Sequence, residues 1–415
     1  MLKRKGLVVT ALILLLVVSI VLPGCTAQQV SKEENVIKIG ASVPLTGSLA
    51  KEGKYTQDGY KFWEDTVNAA GGIKVGDKQY KVQIVMYDDK SDSQTSAKLT
   101  EKLITEDKVN FMLSPYSSGL VMATSSIAEK YKMINIAPTA NSDSIYTRGY
   151  KYIFGVLPRA TNNLVGALSM IDEYKLPVKT VAIATPDSQF PIFAAEGVKA
   201  LAESLGIQVV LFQKYPDKVT DLSPLISEIK NVNPDAIFCS GYFEDAILMV
   251  KQLKEQKLTP KLIAFTGPPT LTDFTKTLQE DAEGVIGHAW WAPATNWTGP
   301  VFGSAKDYAK NFEEKNGYVP PYHSAAASAS GLVLQLAIEK AGSLDTEKIL
   351  STMSSMDVET FFMPIKFGKV DGLENINIGG KAIPMQIQNG ATVVVYPEQI
   401  KETDPIFPLV PWDNR

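Results

Sequence analysis

Ser117, Ser118 and Gly119 stand directly ahead of a segment with helical periodicity, Ser118 to Tyr131. A serine there can accept from one of the orphan N–H groups of the first helical turn. The same N–H groups, at the positive end of the helix dipole, can hold a carboxylate or another small anion. Capping alone and anion binding both fit the spacing. Other strand-following loops carry groups of similar kind. Pro138 to Ser142 offers Thr139, Ala140 and Asn141, Gly241 to Glu244 offers Tyr242 and Phe243, and Thr185 to Phe190 ends on an aromatic. Aromatic side chains in such loops can cover a ligand or pack beneath the loop. Trp290, Trp291 and Trp297 can stack on a ligand or fill a seam between domains.

Catalytic patterns are weak. The chain holds two cysteines and two histidines, which removes most metal and thiol chemistry. It has no Gly-x-Ser-x-Gly elbow, no paired-histidine metal motif, no Cys-x-x-Cys and no Gly-Lys-Ser/Thr phosphate loop. Carboxylates are plentiful, but no pair is singled out. The residues single out no cofactor and no metal site, and by residue type alone a carboxylate-pair enzyme stays open.

The elements that must position these loops alternate. Over roughly residues 36–155 the pattern runs strand, helix, strand, with segments at Ile37–Val43, Tyr55–Ala70, Tyr80–Tyr87, Ser93–Glu106, Phe111–Leu113, Ser118–Tyr131 and Met133–Ala137. A second run repeats the rhythm: Val181–Ala184, Ile192–Leu205, Val209–Phe212, Leu222–Asn231, Ala236–Ser240, Glu244–Gln256 and Leu262–Thr266. Such alternation predicts two mostly parallel sheets, each covered by helices on both faces, an α/β class. Helices at Phe302–Asn316, Tyr322–Ala341 and Thr346–Ser354 follow, then short strands near Ile365–Phe367, Pro384–Gln388 and Thr392–Tyr396. Asn389-Gly390 between the last two is a hairpin signal.

Length and composition agree: 415 residues, 45% hydrophobic and 21% charged, is an ordinary globular balance. The net charge of -4 argues against a nucleic-acid partner. At the N-terminus, Lys3, Arg4 and Lys5 precede an apolar run from Leu7 to Leu22, shorter than a comfortable membrane span. A basic start and short apolar stretch read as a secretory signal. The run closes on Leu22-Pro23-Gly24-Cys25, which resembles a bacterial lipobox. The expectation is a signal peptide over 1–24, a lipid on Cys25, a polar tether over 25–35, and an extracytoplasmic protein anchored to the cell membrane. The alternatives are an uncleaved anchor or a plain signal peptide. With Cys25 acylated, Cys239 has no partner for a disulfide.

The order of short motifs resembles the branched-chain amino-acid type (type I) of periplasmic solute-binding proteins, the receptors of ABC importers. The residues that carry the likeness are Ile37-Lys38-Ile39-Gly40, Pro44-Leu45-Thr46-Gly47, Asn68-Ala69-Ala70-Gly71-Gly72-Ile73, Tyr87-Asp88-Asp89, Pro138-Thr139-Ala140-Asn141 and Arg148-Gly149-Tyr150. Together they span about residues 36 to 370. The resemblance implies two doubly wound lobes joined by three crossovers, placed near Leu157, Gly287 and Pro364. The first lobe would take 36–157 plus 288–364, the second 158–287 plus 365–412. A small ligand would lie in the cleft, the lobes closing by hinge motion, and the partners would be the permease subunits, with the receptor a monomer.

The resemblance also implies a ligand site. Ser117 matches the carboxylate-binding serine, with Ser118 adjacent; Thr139, Ala140 and Asn141 match the next loop; Phe190 and Tyr242 (or Phe243) match the covering aromatics. One position departs. The ammonium-binding glutamate would fall at Pro269. Either Glu52, Asp187, Glu244 or Asp245 substitutes, or the ligand lacks an α-ammonium, as aromatic acids, other small acids and amides do. Asp88 and Asp89 read as turn and cap residues. The function expected is delivery of a small carboxylate-bearing solute to an importer. A ligand-sensing subunit of the same fold is the alternative, and a surface enzyme a distant third.

Overall fold

The computed structural model describes residues 35–415. The expected signal peptide and Cys25 lie outside the described residues. The chain forms two large sheets, each flanked by helices, plus a small two-stranded ribbon. In the first sheet Val36–Val43 sits between Lys78–Asp88 and Phe111–Leu113, parallel to both. Asn135–Ala137 and Ile153–Gly155 continue it in parallel. In the second, Thr180–Pro186 sits between Gln208–Tyr215 and Ala236–Cys239, and Leu262–Phe265 and Ile286–Ala289 extend it in parallel.

Both sheets therefore share one winding order, and both reverse direction at an inner strand. In the first the reversal lies between Val36–Val43 and Phe111–Leu113; in the second, between Thr180–Pro186 and Ala236–Cys239. Ligands of open parallel sheets bind beyond the carboxyl ends of the strands at such a point. The loops that start there hold Ser117 in one lobe, and Phe190 and Tyr242 in the other.

The third crossover falls later than expected. Ile365–Val370 and Leu373–Asn377, assigned from the sequence to the second lobe, belong to the first sheet: Leu373–Asn377 pairs in parallel with Ile153–Gly155, and Ile365–Val370 lies antiparallel beside it. The chain crosses only between Asn377 and Ile383, whose strand Ile383–Gln388 pairs with Ile286–Ala289. The second crossing likewise follows Ala289, because Gly287 is still inside a paired strand. The Asn377 side chain holds the new corner, accepting from the N–H of Lys366 (3.0 Å) and donating to the carbonyl of Val156 (2.9 Å).

The first lobe's core is closed by two long helices, Ala50–Ala69 and Tyr322–Ala341. The second is buried nearly all round and is rich in Ala and Ser, so the backbones approach closely. Ser324 and Ser328 donate across the contact to the carbonyls of Tyr55 (2.9 Å) and Gly59 (2.7 Å). The first helix ends at Gly71 and Gly72, both at positive φ as its sequence predicts. Asn389 and Gly390 also take positive φ (53° and 74°), which fits a type I′ hairpin turn.

In the second lobe His288 is wholly buried in its strand. The N–H of Ala167 donates to Nε2 (3.0 Å), so the proton sits on Nδ1 and is donated to the carbonyl of Phe265 (2.9 Å). Burial pushes its pKa down from 6.5 to about 4. The folded state therefore resists protonation, and this residue's contribution to stability falls as the pH drops from 6.5 toward 4. Nitrogen NMR of the protein at pH 5.5 should show His288 as the neutral Nδ1–H tautomer; an imidazolium signal at that pH would refute the assignment.

Candidate functional site

Between the lobes lies a cavity of about 270 Å³, lined by Tyr116, Ser117, Ser118, Thr139, Asn141 and Leu157 of the first lobe and its exit, by Asn163, Phe190 and Tyr242 of the second, and by Trp290 and Tyr322. The space in it open to a water-sized sphere is about 10 Å³, room for about one water molecule. Of the residues expected from the sequence, Ser117, Ser118, Thr139, Asn141, Phe190 and Tyr242 come together here.

Ser117 is the N-cap residue of the helix Ser118–Lys130, in extended backbone conformation, yet its side chain makes no capping bond. The capping alternative is thus set aside, and the hydroxyl sits beside that of Tyr242 at a dipole end that favours anions. Ser118 is committed: its Oγ accepts from the N–H of Ser142 (3.2 Å) and fixes the next loop. Asn141 is fixed at one end, where Nδ2 donates to the carbonyl of Pro158 (2.6 Å) at the first crossover. Its Oδ1, the Thr139 hydroxyl and both polar atoms of the Asn163 side chain are buried with no hydrogen-bond partner within the protein. Buried polar atoms are almost always paired, so this set marks the cavity as a place where a polar guest is expected.

The aromatic wall is built from both lobes. The ring of Tyr242 lies 6.1 Å from that of Tyr116 and 6.2 Å from that of Phe190, centroid to centroid. Trp290 lines the cavity, whereas Trp291 turns into the first lobe's core and donates its indole N–H to the carbonyl of Phe361 (3.0 Å). Trp297 packs against that core from the surface. The seam and the cavity wall are thus shared between neighbouring tryptophans.

Three expected residues sit elsewhere. Ala140 packs with Val121, Ile145 and Tyr146, and its carbonyl accepts from the Tyr146 hydroxyl (2.6 Å). The Phe243 ring joins the second lobe's core, because it lies on the buried face of its helix, one residue beyond the cavity wall. Glu52 is buried at 1% exposure and bridges the lobes: its Oε1 accepts from the N–H of Phe243 (3.3 Å), while Oε2 has no partner within the protein. Burial, with some help from Glu244 and Asp245, raises its pKa to about 7.

None of the residues lining the cavity carries a carboxylate. Asp187, Glu244 and Asp245 line an adjoining outer groove with Ser48, Leu49 and Asp92, and Ser117 and Tyr242 are common to the groove and the cavity; Asp245 is used to accept the N–H of Tyr242 (2.9 Å). Pro269 lies in a buried turn against Gly287. Asp88 is a turn residue as expected, accepting from the N–H groups of Leu45 (3.0 Å) and Lys90 (2.9 Å).

Sequence reasoning did not single out Tyr116, Leu157, Asn163, Trp290 or Tyr322 as a set. Leu157 and Asn163 flank the first crossover and Trp290 follows the second, so a crossover position was the signal available for all three. The lobes also touch outside the cavity, where the Ser144 hydroxyl donates to Oε1 of Gln189 (2.8 Å) and the Tyr55 hydroxyl donates to Asp273 (3.0 Å).

Residues 36–378 match the family described as periplasmic binding protein. The leucine-, isoleucine-, valine-, threonine-, and alanine-binding protein of Pseudomonas aeruginosa is 26% identical over 84% of this chain and 90% of its own. A branched-chain amino acid transporter substrate binding protein from Streptococcus pneumoniae, solved with isoleucine, superposes with a TM-score of 0.76 at 24% identity, covering 88% of this chain and all of that one. A solute binding protein of an ABC transporter from R. palustris, solved with 4-hydroxybenzoate, gives 0.73 at 22% identity over 91% and 99%. With its two lobes, three crossovers and reversed winding at the cleft, the chain belongs to the periplasmic binding protein family, in its type I form.

Proposed function

We propose that this protein is the extracytoplasmic substrate-binding component of an ABC importer, held at the membrane by a lipid on Cys25, and that it carries a small carboxylate-bearing solute. The observation that supports it most is Ser117: an N-cap serine whose hydroxyl caps nothing, at a helix start facing an interlobe cavity. In this reading the free N–H groups of that helix and the Ser117 hydroxyl take the carboxylate. Thr139 and Asn141 take further polar groups, and Phe190 and Tyr242 cover the body of the ligand from the other lobe. Relatives named for amino acids, and a neighbour solved with an aromatic acid, fit a carboxylate as the common element. Closure around the solute would present the joined face of both lobes to the permease. The Leu22-Pro23-Gly24-Cys25 sequence supports the anchor.

A thermal-shift screen of amino acids, hydroxy acids and aromatic acids tests this reading. A true ligand at a hundred times its Kd should add about 2.7 kcal/mol of stability. Ser117→Ala should then weaken binding by about 1–3 kcal/mol, since a charged oxygen loses a donor. Unchanged affinity in that variant would reject the carboxylate site.

A further inference from the structure

We infer that Asn163 is a specificity-determining residue, and that the solute carries, beside its carboxylate, an uncharged group that both donates and accepts hydrogen bonds: a hydroxyl or a carboxamide, not an ammonium. The inference rests on the carboxylate reading above for one end of the ligand, and on separate atoms for the other.

Asn163 is 1% exposed and lines the cavity, and neither Nδ2 nor Oδ1 has a partner within the protein. Its backbone is held: the N–H donates to the carbonyl of Ala160 (2.9 Å), in the turn Ala160–Asn162 between the first crossover and the helix Val165–Glu173. The amide is therefore delivered to the cleft by a rigid corner, not by a mobile loop. Two more unpaired groups share the cavity. Asn141 offers only its Oδ1, since its Nδ2 is spent on Pro158, and Thr139 offers its hydroxyl.

The three side chains together present donors and acceptors and no charge. An ammonium can donate to Oδ1 of Asn141 or of Asn163, but it cannot accept from Nδ2 of Asn163. It would also bring a charge into a cavity whose lining holds no carboxylate, and a buried unpaired charge is costly. A plain hydrocarbon leaves all of these polar atoms unpaired, and a buried unmet donor or acceptor carries its full desolvation cost. A hydroxyl or primary amide answers both halves of Asn163. Sites built to hydrogen-bond a hydroxyl discriminate strongly against analogues that lack it.

The test uses matched acids on one skeleton: 4-methylpentanoate, 2-hydroxy-4-methylpentanoate and leucine; benzoate, 4-hydroxybenzoate and 4-(aminomethyl)benzoate. Binding is measured by calorimetry on the full-length protein, with simple amides and polyols as a carboxylate-free arm. The hydroxy acid of at least one set should bind at least about tenfold tighter than its plain and ammonium-bearing partners. Asn163→Leu should reduce that preference to within about threefold. Asn163→Asp should shift the ranking toward the ammonium-bearing acid, a gain that a merely folded or unfolded variant cannot mimic. Tightest binding of the ammonium-bearing acid by the unaltered protein, or an unchanged preference in both variants, overturns the inference. If only amides or polyols bind, and do so through Asn163, the role of Asn163 stands and the carboxylate reading falls. If nothing in any arm binds, both fall.

Discussion

Replacing Trp63 with alanine is expected to cost about 3–5 kcal/mol of stability, the range for deleting a large buried aromatic ring. Trp63 is completely buried in the helix Ala50–Ala69, and its indole N–H donates to Oε1 of Gln335 (3.2 Å) in the helix Tyr322–Ala341. The facing residue is Gly331, where an added Cβ would come within 2.2 Å of the ring. The indole therefore lies flush against bare backbone, and its removal leaves a void that two packed helices cannot close. The buried Gln335 oxygen also loses its donor. The two positions should be coupled. Gly331→Ala alone should cost about 1–3 kcal/mol by overpacking, and most of that cost should vanish in the Trp63→Ala background. Denaturant midpoints of the two single variants and the double variant read the coupling; strict additivity would refute the contact. Both helices begin at the cleft, with Glu52 on one and Tyr322 on the other, so the loosened pair should also weaken ligand binding.

Glu52→Gln is expected to stabilise the protein above neutral pH and to do little at pH 4.5 or below. The buried carboxyl has its pKa raised from 4.5 to about 7, with burial as the main cause. A carboxyl with a raised folded pKa takes up its proton on folding. Its contribution is therefore most favourable below pH 4.5, is lost as the pH climbs through 7, and is fully lost beyond it. At 1.36 kcal/mol per pH unit, the penalty at pH 8.5 approaches about 3 kcal/mol. The amide keeps an oxygen for the N–H of Phe243 (3.3 Å) and has no charge to desolvate. Unfolding free energies at pH 4.5 and 8.5 should converge at the lower pH and separate at the higher. Parallel curves for the two proteins would show that Glu52 ionises freely in the fold.

How much of this was legible depends on how local each signal is. Phe111–Leu113, Tyr322–Ala341 and Thr346–Ser354 appear where their patterns place them, because apolar periodicity and capping act within a few residues. Asn389-Gly390 likewise encodes its own turn. Ser117, Thr139 and Tyr242 could be found because each follows a recognisable strand, and a strand's carboxyl end is where a parallel sheet exposes its loops.

Other features have no local signature. Nothing between Ile365 and Asn377 says which sheet those strands join; that is decided by Ile153–Gly155, more than two hundred residues earlier, and by Asn377 bonding back to Val156. Phe243 and Tyr242 are adjacent in sequence, yet only the helix's orientation sends one ring into the core and the other to the cavity. Asn163, in an Asn-Asn pair ahead of an apolar helix, carries no local sign that the fold buries its side chain without a partner within the protein.

The sequence by itself determined the order of strands and helices, the turn chemistry and the family, because backbone propensity, periodicity and short motifs are carried by neighbouring residues. Only the tertiary structure decided which lobe owns the late strands, which aromatics face the cavity, and that the cavity itself is lined without a carboxylate. Those depend on burial, and burial is set by contacts between segments far apart in the chain.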